Sequence, residues 1–352
     1  MNDIIPWEQI KYKNVKKIGE GVFSVVYKAD GNVVIKMQKY GKENKEVFMD
    51  ELKFYSRLLK SDNYSDCVIK PLDNFKTLYN DTVRICIVFE KMTCDLLKFK
   101  KISKKNKLPL HKYKIIIKQI LEGLKFLHEN EIIHTDIKPE NILINSELKV
   151  KIIDLGNACY FDKHFSDSIS TSEYRSPEAI LQGDYNEKSD IWSTACLIYE
   201  LLTGDYLFGS WTYFEDSDSD SENDDDSETE SEEEEESEDT ESEDEESDSG
   251  SDSEDEDNDI QHLHLMETYL GKFPKKLVKG KNAKLCFDSY NDLKEPYHRL
   301  GNAKISECLE AEYNFSKEEA KQIEEFLLPM LIYDPEERAS AEQMLNHKFL
   351  MF

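Results

Sequence analysis

His134-Thr135-Asp136-Ile137-Lys138-Pro139-Glu140-Asn141-Ile142-Leu143 stands near the middle of the 352-residue chain, and the rest of the sequence is read outward from it. Asp136, Lys138 and Asn141 fall at offsets of 0, 2 and 5, just ahead of an apolar run that reads as a short strand. The Asp136 carboxylate suits a base that orients a hydroxyl and takes its proton. Lys138 offers a cation for charge that develops on a transferring group, and the Asn141 amide offers a hard oxygen to magnesium. A plain connecting loop gives no reason for those three side chains at that spacing.

Further parts of a phosphoryl-transfer site lie on either side, in a consistent order. Gly19-Glu20-Gly21-Val22-Phe23-Ser24-Val25-Val26 is a glycine-rich turn between strands, with Ser24 where a third glycine would stand. Backbone without Cβ bulk at Gly19 and Gly21 can lie close over phosphates, and Val26 fits a residue that covers a base. Two glycines before a strand also make an ordinary hairpin, so this motif is weak alone. Val33-Val34-Ile35-Lys36 is a strand ending in lysine, suited to α- and β-phosphates. Glu51, fifteen residues on, is its assigned helix partner, with Glu46 and Glu43 as rivals nearer the helix start. Asp154-Leu155-Gly156 follows a strand thirteen residues after Asn141 and supplies the second metal ligand, Asp154. Leu155 keeps an apolar plug beside it.

The elements around these motifs change character along the chain. Val15–Ala29, a turn at Asp30-Gly31, and Asn32–Gln38 predict a three-strand start. Lys45–Lys60 has helical spacing with Val47, Leu52, Tyr55 and Leu59 along one stripe, and Thr82–Glu90 predicts a further strand. Beyond it, Lys112–Asn130 places Ile116, Ile120, Leu124 and Leu127 at helical intervals. Asn141–Asp154 predicts two short strands around a polar turn. Ser189–Gly204 is apolar on almost every face and predicts a buried helix closed by Gly204. Ser316 with Glu319 predicts a capping box, and Ser340 a cap on the last helix.

The net charge of −29 belongs to one segment. Residues 215–259 hold 29 acidic residues, 11 serines, and no Lys, Arg or apolar side chain. The remaining 45 acidic residues balance the 45 basic ones. Such a segment cannot bury enough surface to offset its ordering entropy and is expected to be disordered. The seven cysteines are scattered without a C-x-x-C pair, which indicates neither a disulfide framework nor a zinc site. The N-terminus has no signal-peptide pattern and the longest apolar run, near Ile191–Leu202, is too short to span a bilayer. The expectation is a soluble intracellular protein of cytoplasm, nucleus or both, with no membrane or direct nucleic-acid contact, and a monomer.

The joint set, together with IIHTDIKPENIL, IIDLGNACYFDKHF, TSEYRSPEAI, DIWSTACLIYELLTGDYLF and LGKFPKKL, resembles the SR-protein kinase family over nearly the whole chain outside 215–259. The resemblance implies an α+β bilobal protein kinase fold, with a β-rich small lobe (1–91) and a mainly helical large lobe (92–352) that carries the acidic insertion. It implies a serine/threonine kinase that uses ATP and Mg2+ on Arg/Ser-rich or other basic proteins. It completes the ATP-binding set with Ile18, Val34, Glu90, Met92 and Leu143 beside Gly19, Gly21, Val26, Lys36 and Glu51. Glu178 of Ser176-Pro177-Glu178 is then expected to pair with Arg338, and Asp190 to hold the backbone of the opening stretch. In many kinases an arginine before the catalytic aspartate binds a phosphate on the activation loop. Thr135 cannot, so the resemblance implies activity without phosphorylation, with Thr171 and Ser172 left as possible phosphosites. An acidic field would steer basic peptides and fade with salt. The lysine runs Lys98–Lys107 and Lys275–Lys284 are expected to be solvated faces, with holding the acidic segment or gripping substrate phosphates as other uses. Other readings are a LAMMER-type dual-specificity kinase, or a scaffold that binds basic proteins through the insertion.

Overall fold

The computed structural model describes residues 4–105, 108–209, 251–294 and 303–351, with backbone alone for 103–105 and 251–258. The small lobe is built on strands β1 (Ile4–Pro6), β2 (Lys16–Glu20), β3 (Ser24–Ala29), β4 (Val33–Gln38), β5 (Asp73–Tyr79) and β6 (Thr82–Glu90). They form one sheet in the order β1-β5-β6-β4-β3-β2, antiparallel except for β1 on β5. The turn between β3 and β4 places Gly31 at φ 80° and Asn32 at φ 56°, residue types that tolerate the left-handed region. β1 and β5 were not legible in the sequence. β1 is too short to show a period, and β5 buries only Thr77 fully, with Phe75 and Tyr79 half-buried.

Helix α1 (Lys42–Leu58) packs on this sheet through a face rotated from the expected stripe, with which it shares Tyr55. Its buried residues are Phe48, Glu51, Phe54, Tyr55 and Leu58, while Leu59 is exposed and Val47 and Leu52 are half-buried. The face turns so that a charged residue, Glu51, points inward. Hydrophobic spacing alone could not show this.

The large lobe contains α2 (Leu96–Lys105), α3 (Leu110–Glu129), α4 (Pro177–Ile180), α5 (Lys188–Thr203), α6 (Ser251–Leu270), α7 (Ala283–Cys286), α8 (Ile305–Ala311), α9 (Lys317–Leu327) and α10 (Ala341–Leu345). Short strands β7 (Cys94–Asp95), β8 (Ile132–Ile133), β9 (Ile142–Ile144), β10 (Val150–Ile152) and β11 (Cys159–Tyr160) form two small sheets, β10-β9-β7 and β11-β8. Every residue from Ser189 to Leu202 of α5 is buried, and Gly204 at φ 95° ends the helix. α3 buries Ile116, Ile120, Leu124 and Leu127 as its spacing predicts. Both capping boxes are formed, Ser316 with Glu319 and Ser340 with Gln343. The lobes are joined by backbone bonds from Ile69 N–H to Ile152 O (2.9 Å) and Ile152 N–H to Cys67 O (2.8 Å).

The expectation of disorder over 215–259 fails at the C-terminal end of that stretch. α6 begins at Ser251, inside the stretch assigned to disorder, and continues into buried Ile260, Leu263, Leu265 and Met266. Downstream apolar residues fix the helix and carry the preceding backbone with them. The expectation for 215–250 lies outside the described residues. Among the described residues no helix is long and apolar enough to cross a membrane, and all seven cysteines are unpaired.

Candidate active site

Pairing of β4 with both β3 and β6 fixes the direction of Lys36, and α1 brings Glu51 to it. The ammonium lies 2.8 Å from both Glu51 oxygens and 2.9 Å from Asp154 Oδ1. Glu43 and Glu46, the rival partners, are exposed. Burial opposes the charge on Lys36, but Glu51 and then Asp154 outweigh it and raise the ammonium above its ordinary value. Burial likewise lifts the Glu51 carboxyl, and Lys36 offsets only part of that rise. Asp154 goes the other way, since the attraction of Lys36 overcomes burial and holds it below the usual carboxylate value.

A cleft of about 580 Å³ opens between the lobes. All ten residues assigned to ATP line it: Ile18, Gly19, Gly21, Val26, Val34, Lys36, Glu51, Glu90, Met92 and Leu143. Its wall also includes Tyr55, Ile69, Phe89, Cys94, Asp95 and Ile153, which the motifs did not indicate. Tyr55 is buried on α1 one turn beyond Glu51, with a hydroxyl that has no hydrogen-bond partner among the described residues. These residues are ordinary apolar and polar types, and only folding brings them to one wall.

The opening stretch leaves β8 and turns sharply, with Thr135 at φ 66°. Asp190 on α5 holds this turn, accepting from His134 N–H (2.9 Å) and Thr135 N–H (2.8 Å), with His128 Nε2 at 2.8 Å. Asn141 donates through Nδ2 to the Asp136 carbonyl (2.7 Å) and to Asp136 Oδ2 (3.0 Å). That commits the amide nitrogen and leaves the amide oxygen as the donor atom for a cation. Asn141 is not itself in the cleft wall, but its carbonyl accepts from Ile153 N–H at 2.9 Å, next to Asp154. Asp154 is 46% exposed toward the cleft. One amide oxygen and one carboxylate fit Mg2+, which takes hard oxygen ligands, one or two from protein with phosphate and water completing the shell. Among the described residues no cluster of three or more His, Cys, Asp or Glu residues is found.

Lys138 lies 3.1 Å from Asp136 Oδ2 and donates to Thr171 Oγ1 at 2.9 Å, while Thr171 donates to Asp136 Oδ1 at 2.9 Å. Thr171, which the sequence offered only as a possible phosphosite, meets both side chains of the opening stretch. Its hydroxyl is already held between Asp136 and Lys138. The only signal was its position five residues before Ser176-Pro177-Glu178. Thr135 also has a partner: its hydroxyl donates to the Asn157 carbonyl at 2.8 Å, and Ser170 donates to the Thr135 carbonyl at 2.8 Å. Arg175 binds the Ser170 carbonyl through Nε and Nη2 and pairs with Asp259 of α6 at 3.3 Å. Glu178 and Arg338 meet through two bonds of 2.8 and 2.9 Å, with Arg338 fully buried.

A second cavity of about 590 Å³ adjoins Asp136 and Lys138 and is lined by Glu43, Glu46 and Asp50 of α1. The Lys275–Lys284 run meets acids at the surface: Lys275 with Asp292, Lys276 with Asp334, and Lys281 with Asp167. Lys100 of the other run turns inward to Glu200.

A family model described as Protein kinase domain matches residues 12–350. The chain is 31% identical over 405 aligned positions to Serine/threonine-protein kinase SRPK of Physarum polycephalum, covering 96% of this chain and 85% of that protein. The chain belongs to the SR-protein kinase family. The kinase is also 36% identical over 229 residues to Serine/threonine-protein kinase SKY1 of Saccharomyces cerevisiae, which covers 64% of this chain and 24% of the yeast protein. It is 26% identical to Dual specificity protein kinase CLK2 of Homo sapiens, over 97% of this chain and 64% of that one. As a serine/threonine protein kinase it acts on protein substrates, and its family implies ATP and usually Mg2+.

Proposed function

We propose that this kinase transfers the ATP γ-phosphate to serines of Arg/Ser-rich proteins and needs no phosphate on its own activation segment, Asp154 to Glu178. The observation that carries the reading is the assembled Asp136–Lys138–Thr171 array, reached with Thr135 in place of arginine and its hydroxyl on Asn157. In this reading Lys36, fixed by Glu51, holds the α- and β-phosphates. Asp154 and Asn141 would hold Mg2+, which would supply positive charge against the phosphoryl oxygens. Asp136 accepts the hydrogen bond of the substrate hydroxyl and takes its proton as the serine oxygen attacks. Lys138 balances the charge on the transferring group, and Thr171 keeps both side chains in register. The acids lining the cavity beside Asp136 favour a basic peptide, and the relatives' similarity supports the substrate class.

The test is phosphorylation of an Arg-Ser repeat peptide by protein pretreated with phosphatase, with a tyrosine-containing basic peptide alongside. Wild type should phosphorylate the serines at full rate after phosphatase treatment, and Asp136→Ala should lose transfer by about 1,000-fold or more, the scale seen when a central catalytic group is removed. Loss of activity on phosphatase treatment would overturn the phosphate independence. An inactive wild type, or transfer only to tyrosine, would overturn the substrate reading.

A further inference from the structure

The activation segment is held from below by a buried polar chain that the catalytic motifs do not include. Glu200 stands on α5 with no exposed surface, and a buried carboxylate is costly unless it is paired and hydrogen-bonded. Both its oxygens are engaged. Lys100 Nζ, from α2, lies 2.5 Å from Oε1, and the Tyr174 hydroxyl donates to Oε2 at 2.5 Å. Lys100 is only 17% exposed and also donates to the Gly204 carbonyl at 3.1 Å, where a cation at the C-terminus of α5 is favoured. Burial, then Glu200, raises the Tyr174 hydroxyl well above its ordinary value, so it stays a proton donor. Ser193 fixes the other side of Tyr174, donating to its carbonyl at 2.8 Å. Tyr174 N–H in turn donates to the Thr171 carbonyl at 3.0 Å, which closes the turn that presents the Thr171 hydroxyl to Asp136 and Lys138.

We propose that Lys100 is a positioning residue for phosphoryl transfer, acting through Glu200 and Tyr174 to fix Thr171 on the Asp136–Lys138 pair. It supplies from within the large lobe a cation that orders the activation segment, where many kinases use a phosphate and an arginine. Without Lys100 the Glu200 charge loses its counterion, and the carboxylate must draw in water or swing away from Tyr174. The inference rests on the roles given above to Asp136, Lys138 and Thr171.

The experiment compares wild type with Lys100→Met, Lys100→Arg and the double variant Lys100→Met/Glu200→Gln, on the Arg-Ser repeat peptide and on myelin basic protein. Amide hydrogen exchange over residues 171–175 is followed in each. Lys100→Met should lower kcat by about tenfold or more while the KM for ATP stays within about twofold, the pattern of a group felt at the transition state. Lys100→Arg should restore most of the rate. The double variant, which removes both charges and keeps the tyrosine acceptor, should melt near wild type and recover much of it. Tyr174→Phe should cost far less in the Lys100→Met background than in wild type, because the two act in one chain. Exchange at 171–175 should quicken in Lys100→Met, whichever peptide is used. Unchanged kcat and exchange in Lys100→Met would overturn the proposal, as would full additivity with Tyr174→Phe, or a loss that the double variant does not relieve. A wild type active on myelin basic protein and inactive on the Arg-Ser peptide would defeat only the substrate reading, and a wild type inactive on both would defeat the catalytic roles. In either case the exchange data decide on Lys100.

Discussion

Thr135 stands where many kinases carry an arginine, and it makes a contact of its own. It sits at φ 66°, a region that disfavours β-branched residues, and is 3% exposed. Its hydroxyl satisfies the Asn157 carbonyl on the activation segment, 22 residues away. Thr135→Val keeps the shape and the backbone strain and deletes only the donor. Asn157 is exposed, so water can reach its carbonyl, and the loss should be about 0.5–1.5 kcal/mol, the net worth of one hydrogen bond. The expected result is a several-fold lower kcat on peptide and faster proteolysis within residues 157–171, with phosphatase treatment still without effect. At this scale the sequence was most legible where chemistry demands a residue type. Lys36, Asp136, Asn141 and Asp154 stand out by type and spacing, and folding brings Lys36 onto Asp154 and Asn141 onto Asp136. Thr135 and Thr171 do not, since hydroxyls are common in loops and their partners lie 22 to 35 residues away in sequence.

Elements were legible where burial imposes a regular pattern. α3 and α5 follow their apolar spacing, while α1 is rotated from its apolar stripe, burying Tyr55 as expected but Phe48, Phe54 and Leu58 beside Glu51 in place of Leu59. β1 carries no period, and α6 begins within acid-rich sequence because Ile260, Leu263 and Met266 follow. The connection after α6 shows a further contact invisible to pattern. Gly280 lies at φ 123°, and a Cβ there would come 2.0 Å from the Leu181 carbonyl oxygen, just beyond α4. Asn282 N–H donates to that same carbonyl at 3.1 Å, so the loop cannot simply withdraw. Gly280→Ala should destabilise by about 2–3 kcal/mol, the scale of strained backbone. Scanning calorimetry should show the drop in Tm, with the KM for ATP unchanged. A wild-type Tm would mean that the loop and α4 separate at little cost.

The whole molecule depends on a joint between the segment after the active site and the C-terminal helices. Glu178 opens α4 and Arg338 precedes α10, and their bidentate contact is buried on both sides. Burial would raise the Glu178 carboxyl, yet Arg338 holds it below its ordinary value of 4.5, aided by the Ser189 hydroxyl at 2.8 Å. A carboxyl whose folded value is depressed binds fewer protons folded than unfolded. Its contribution to stability is therefore complete above the unfolded value and is lost as pH falls through the folded one. Glu178→Gln removes that charge and leaves Arg338 unpaired in the core, a loss of about 3–5 kcal/mol at neutral pH. Thermal unfolding from pH 7 to pH 3 should show the variant well below wild type at pH 7. The two curves should converge as pH falls below 4.5, where wild type loses what the variant never had. Parallel curves across that range would mean that Glu178 does not titrate with folding, and that Arg338 is held by its bonds to the Ile332, Lys188 and Tyr333 carbonyls instead.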